Sequence, residues 1–137
     1  MSIQTYLQFE GRCEEALKFY GEVLGAKVEM MMRHKESPMP APPGRLPQGS
    51  DDKIMHAALR IGDTVLLATD GMCSGNPQFQ GFSLNVSQAT ESAARALFGR
   101  LSDGGKVTMP LTKTFWSPAF GMLVDRFGVS WMVMVPA

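Results

Sequence analysis

Two short strings occur twice in this chain, in the same order. Gly25-Ala26-Lys27-Val28-Glu29-Met30 returns as Gly104-Gly105-Lys106-Val107-Thr108-Met109, and Arg60-Ile61-Gly62 returns as Arg126-Phe127-Gly128. Ordered echoes predict a duplicated module and restrict the chain to folds built from two like halves. Val28 and Val107 stand 79 residues apart, whereas Arg60 and Arg126 stand 66 apart, so the first copy carries 13 extra residues between these landmarks. The surplus is visible at 36–52, where Pro38, Pro40, Pro42, Pro43 and Pro47 are interspersed with Gly44 and Gly49. Such a segment holds neither helix nor central strand, because proline lacks the amide donor and glycine is entropically costly to order. Two related halves packed together predict a cleft at their junction, a common place for a small-molecule site.

At 137 residues the chain fits a single domain able to bury a core without disulfide or metal staples. Thirteen basic and thirteen acidic residues cancel with no long run of either sign. That balance lacks the footprint of a nucleic-acid or anionic-membrane binder. No apolar stretch approaches the roughly 20 residues that span a bilayer. Cys13 and Cys73 form neither a C-x-x-C pair nor a zinc ligand set, and no apolar secretory segment opens the chain, so a reduced, cytoplasmic protein is expected. Eleven methionines, concentrated at Met30-Met31-Met32 and Met132-Val133-Met134, supply soft side chains for an irregular interior or a forgiving binding surface.

The patterning predicts β-α-β-β-β twice, an α+β class. Strands are expected at Ile3 to Phe9, Lys27 to Arg33, Lys53 to Ile61 and Thr64 to Thr69, the last two joined by a Gly62-Asp63 turn. The first helix carries Ala16, Leu17, Tyr20, Val23 and Leu24 on one face and stops at Gly25. In the second half, a strand at Phe82 to Val86 leads through an N-cap at Ser87 into a helix faced by Ala93, Ala94, Leu97, Phe98 and Leu101. Strands at Lys106 to Met109, Phe120 to Asp125 and Val129 to Val135 complete the copy. Module one is thus 1–70, module two 79–137, with the Pro-rich insertion at 36–52.

This order, with Ala16-Leu17-Lys18-Phe19-Tyr20-Gly21-Glu22-Val23-Leu24-Gly25, resembles the vicinal oxygen chelate superfamily, which includes glyoxalase I, bleomycin-resistance proteins and extradiol dioxygenases. Within it the chain is most similar to the PhnB-like group. That resemblance rests on Tyr6-Leu7-Gln8-Phe9, His56, Thr114-Phe115-Trp116, Phe120-Gly121 and Asp125-Arg126-Phe127-Gly128-Val129-Ser130-Trp131-Met132. It implies paired modules whose sheets curl around a cavity, and a homodimer. In many superfamily enzymes one divalent ion sits in the cavity, held by histidine, glutamate or glutamine on the first and last strand of each module. Here the aligned residues are Thr5, Leu66 or Leu67, Phe82 and Met132, and Gln8 is expected on the opposite side of its strand. A hydroxyl and apolar side chains do not hold a divalent cation, so no metal and no other cofactor is expected.

Along the concave face, Leu7, Phe82, Leu84, Met132 and Met134 are expected to line an apolar cavity, with Phe115 and Trp116 at its mouth; the alternative is that they simply fill the core. His56 shares a strand face with Ala58 and Arg60 and is the best candidate for a ligand-contacting or acid/base group. His34, beside the insertion, reads as a solvated histidine. Asp70 and Asp125 read as turn-organising carboxylates rather than a catalytic pair. Nothing near Cys73 argues for an activated thiol. Members of the PhnB-like group have been labelled ubiquinone methyltransferases, yet no Gly-rich strand-to-helix turn is present to cradle a nucleotide-derived cofactor. The expected protein binds a small molecule without a metal, through His56, Phe115, Trp116, Leu7, Phe82 and Met132. The alternatives are a metal-dependent lyase, isomerase or dioxygenase, and a catalytically silent interaction protein with a packed cavity.

Overall fold

The computed structural model describes residues 1–39 and 41–137; Pro40, inside the Pro-rich insertion, lies outside the described residues. Two compact units divide the chain, Met1–Gln78 and Phe79–Ala137. The first contains β1 (Tyr6–Gln8), α1 (Cys13–Leu24), β2 (Lys27–Arg33), β3 (Ile54–Ile61) and β4 (Thr64–Thr69). The second contains β5 (Leu84–Ser87), α2 (Glu91–Leu101), β6 (Lys106–Thr112), β7 (Phe120–Val124) and β8 (Ser130–Met134). Each unit is one β-α-β-β-β module, and the two sheets have the same strand order, β1-β4-β3-β2 and β5-β8-β7-β6. In both, the last three strands form an antiparallel meander and the first strand runs parallel beside the last. A helix makes the crossover that a parallel pair requires.

The register tests the duplication residue by residue. Val28 pairs with Leu59, and Val107 pairs with Leu123; past a bulge in each, Met30 meets Ala58 and Met109 meets Met122. The offset of 79 therefore holds in the ladder. The second echo is out of register: Arg60 faces Lys27, whereas Lys106 faces Val124, so the true partner of Arg60 is Val124 rather than Arg126. The β3-β4 hairpin closes over Gly62-Asp63 alone, while five residues separate Val124 from Ser130. What the Arg-x-Gly strings share is a turn glycine with positive φ, +57° at Gly62 and +93° at Gly128.

Alternation divides each sheet into a buried and an open face. In module one Leu7, Ala57, Leu59, Leu66 and Ala68 form the buried face, and α1, which packs on β3, buries Ala16, Leu17 and Tyr20. In module two Leu123, Trp131 and Val133 are buried with Ala94, Leu97 and Leu101 of α2. The α2 ring of Phe98 lies so close to Gly121 that a Cβ there would approach it to 2.7 Å. α2 is capped by Thr90, whose hydroxyl accepts from Ala93 N at 3.1 Å, and not by Ser87, which is still paired with Met134 in the sheet. The insertion is tied at its base: His34 N donates to Lys53 O, Lys35 Nζ meets Asp52 Oδ1 at 2.6 Å, and Arg33 grips Glu14 through both terminal nitrogens. That grip holds the Glu14 carboxyl below its ordinary pKa.

Candidate functional site

The open face of module one carries the polar chemistry. Tyr6, on β1, reaches over β4 to His56 on β3, and its hydroxyl lies 2.6 Å from His56 Nδ1, with the two rings 5.5 Å apart. The strand order makes this contact; no spacing in the sequence predicts it. Burial, and to a smaller extent Cys13, pushes the Tyr6 pKa up, so the phenol keeps its proton at neutral pH. A hydroxyl proton directed at Nδ1 leaves the imidazole its Nε2–H, a donor for a ligand on the sheet. Its cross-strand neighbours are apolar, Met32 opposite His56, Met30 opposite Ala58 and Ala58 opposite Leu67, while Gln8 and Arg60 add polar groups to the same face.

The parallel ladders pair the first strand of each module with its last. Tyr6 is opposite Leu67 and Asn85 is opposite Met132, so Leu67, not Leu66, is the counterpart of Met132. One step on, Gln8 is opposite Thr69 and Ser87 is opposite Met134. Tyr6 and Gln8 share the open face, while Thr5, by alternation, falls on the other; the expectation that Gln8 points away is corrected. Within each module, these pairs contain no imidazole, carboxylate or thiolate. These donor sets, neutral oxygens and a thioether, do not fit the ligand requirements of a zinc, iron or nickel centre.

Module two presents an apolar counterpart. Phe82 and Met132 come together in a groove of about 570 Å³ that also includes Phe79, Ser83 and Ser130, whose hydroxyl lies 2.8 Å from that of Ser83. Phe82 is not part of a strand, however, since β5 begins only at Leu84, where pairing with Trp131 begins. Leu84 itself turns to the Trp131 side. Phe115 and Trp116 sit on the β6-β7 loop beside Ser117, whose buried hydroxyl has Ala119 O and Val135 O within reach as acceptors for its one proton. Trp116 packs edge-on against Phe120 at 5.4 Å, and Phe115, 96% exposed, packs edge-on against Trp116 at 4.7 Å. Leu7 is placed differently: it is 1% exposed and on the buried face, opposite Ala68, away from Tyr6 and Gln8.

Other chemically capable groups are committed to structure. Asp70 is 1% exposed; its Oδ1 accepts from Gly11 N and Cys13 N, and its Oδ2 from Ile54 N. The first amide of α1, Cys13 N, is thus already satisfied, as is Gly11 N just before the helix. Asp125 similarly accepts from Phe127 N, Val129 N and the Trp131 indole. Burial, reinforced by the negative charge of Asp70, pushes the Cys13 thiol far up, and burial also raises Cys73, so neither is an activated nucleophile. Among the described residues no group of three or more His, Cys, Asp or Glu side chains converges, and no helix is long and apolar enough to cross a membrane.

Comparison with known proteins agrees with this geometry. The model of the family described as 3-demethylubiquinone-9 3-methyltransferase matches residues 1–134. Protein YjdN of Escherichia coli is 33% identical over 142 residues, covering 98% of this chain and 95% of YjdN. The crystal structure of protein PA1353 from Pseudomonas aeruginosa superimposes with a TM-score of 0.86 at 39% identity, covering 99% of this chain and 98% of that one. A Bacillus cereus PhnB protein, titled a putative 3-demethylubiquinone-9 3-methyltransferase, gives 0.82 at 28% identity over 98% and 99%. The fold alone, at 17% identity and a TM-score of 0.66 over 100% and 92%, extends to a glyoxylase/bleomycin resistance protein/dioxygenase domain from Frankia. With its duplicated β-α-β-β-β modules and a family match running from residue 1 to 134, the chain belongs to the PhnB-like 3-demethylubiquinone-9 3-methyltransferase family, on a glyoxalase-like fold.

Proposed function

We propose that this protein binds a small, flat, partly apolar molecule on its open sheet faces without a metal ion. The Tyr6–His56 hydrogen bond, set beside the apolar cross-strand neighbours Met32, Met30, Ala58 and Leu67, carries the reading. A solvent-accessible polar pair of this kind orients a ligand, and methionine and aromatic surfaces supply the contact area. Phe82, Met132, Phe115 and Trp116 are the apolar contacts in module two. In this reading His56 Nε2–H donates to a ligand oxygen or nitrogen, while Tyr6 holds the ring and its tautomer. The binding unit is a homodimer, which a sedimentation mass near 15.0 kDa would contradict.

A thermal-shift screen of planar heteroaromatic compounds against the full chain tests the binding claim. Compounds that raise the melting temperature of the wild type are expected to lose about fivefold in affinity for His56→Ala, the effect of one hydrogen bond worth roughly 1 kcal/mol. Tyr6→Phe, which frees Nδ1 but keeps the ring, is expected to lose less. If no compound shifts the wild type, or hits bind His56→Ala equally well, the open face of module one is not the site.

A further inference from the structure

We propose that the open face of module one carries a site for a soft monovalent ion of the copper(I) type, built from Met30, Met32 and His56. Met30 and Met32 are two residues apart on β2, so both side chains leave the same face of the sheet. On β3, His56 stands directly opposite Met32, and Ala58 stands directly opposite Met30. The ladder is regular between these rungs, its shifts falling before Met30 and after Met32. Two thioethers and an imidazole therefore meet on one patch, and the small side chain of Ala58 leaves Met30 room to turn toward the ring. Directly opposed residues have Cβ atoms about 4.5–5.5 Å apart and diagonal ones roughly 7 Å, spans that the three rotatable bonds of methionine cover.

The donors select the ion. Thioether sulfur is uncharged and polarizable, and together with imidazole it suits copper(I), whereas zinc takes thiolate, imidazole and carboxylate ligands. The patch thus differs in kind from a divalent centre on the first and last strands. It is open to solution: Met30 is 43% exposed, and Met32 and His56 are half-buried. Arg60, further along β3, is paired with Glu29, whose carboxylate offsets the positive charge that would oppose a cation here.

His56 is anchored for this role, with Nδ1 2.6 Å from the Tyr6 hydroxyl. That hydrogen bond forms in either sense. When Nδ1–H donates to the phenol oxygen, Nε2 presents its lone pair to the ion. A ligating histidine held through its other nitrogen is the usual arrangement at protein metal sites. The inference goes beyond the organic-ligand reading above, which uses the other tautomer; the two occupants share one imidazole and exclude each other.

Methyl NMR of the full chain during titration with silver(I), a redox-inert stand-in for copper(I), tests the proposal. The chain carries Cys73→Ser, which removes the less buried of the two thiols as a competitor. Saturable shifts of the Met30 and Met32 ε-methyl groups are expected, and zinc is expected to give none. Met30→Leu and Met32→Leu, which keep the apolar bulk and remove the sulfur, should each weaken silver about tenfold, and Tyr6→Phe should do the same by releasing the imidazole. The leucine variants should leave both the melting temperature of the ion-free protein and its affinity for planar compounds unchanged. Silver shifts confined to other methionines would overturn the proposal, as would leucine variants or His56→Ala binding silver as tightly as the unsubstituted site. Each of these results would leave the organic-ligand reading standing, because it needs the Nε2–H donor and no sulfur lone pair.

Discussion

Asp70→Ala is expected to destabilise the protein by about 3–5 kcal/mol, read as a loss of midpoint in urea unfolding. The carboxylate of Asp70 is the point at which three chain segments meet. Its Oδ1 accepts from Gly11 N at 2.9 Å and Cys13 N at 2.7 Å, and its Oδ2 from Ile54 N at 2.6 Å. Arg12, at the N-cap of α1, contributes no side-chain cap, so Asp70 supplies the acceptor that the helix start needs and places negative charge at the positive end of its dipole. Alanine removes all three acceptor contacts at once and leaves amides of α1 and β3 unsatisfied in the interior. Asp70→Asn should fall between the two, since it retains one acceptor oxygen but directs an amide group at a neighbouring N–H. A midpoint for Asp70→Ala equal to the wild type would contradict this assignment.

Gly105→Ala is expected to destabilise by about 3 kcal/mol or more, for a steric reason. A Cβ at this position would lie 2.2 Å from Val124 O and 2.8 Å from the Asp125 carbonyl carbon, and both obstacles are backbone. No side-chain rotation relieves the clash; β6 must move away from β7. The same position in module one, 79 residues earlier, is Ala26, which carries the Cβ that Gly105 has no room for. Gly99→Ala provides the control. Gly99 lies within α2 with nothing within 4 Å of its would-be Cβ, and alanine there should stabilise by about 0.5–1 kcal/mol. Thermal unfolding of the two variants should therefore shift in opposite directions.

The architecture was legible because the signals that set it are local. Gly25 caps α1 and Gly104 lies in the turn after α2, both with positive φ, and the strand that follows each begins with Lys-Val in the same register. Boundaries that depend on pairing were less legible: β8 holds Ser87 in the sheet, which moves the helix cap to Thr90, and it leaves Phe82 outside β5. The candidate site was legible only in part. His56 was identified by type and position, but its partner Tyr6 lies 50 residues away and reaches it only because β4 is inserted between their strands. Leu7 was expected beside them, and alternation from Tyr6 shows why it is not: neighbouring residues of a strand face opposite sides. His34 was expected to be solvated, yet its Nε2 is buried, a consequence of how the insertion folds back that carries no sequence signal.

We propose that these modules keep a glyoxalase-like framework without a divalent metal, since the paired first and last strands offer Tyr6, Gln8, Leu67 and Thr69 in module one and Asn85, Ser87, Met132 and Met134 in module two. Metal analysis by inductively coupled plasma mass spectrometry, on untagged wild type and His56→Ala, tests it most directly. The expected result is background zinc, iron, nickel and manganese in both proteins, because neutral oxygens and thioethers do not replace the water an ion would shed. About one tightly held divalent ion per wild-type chain, absent from His56→Ala, would contradict the account and make this protein a metal-dependent member of its superfamily.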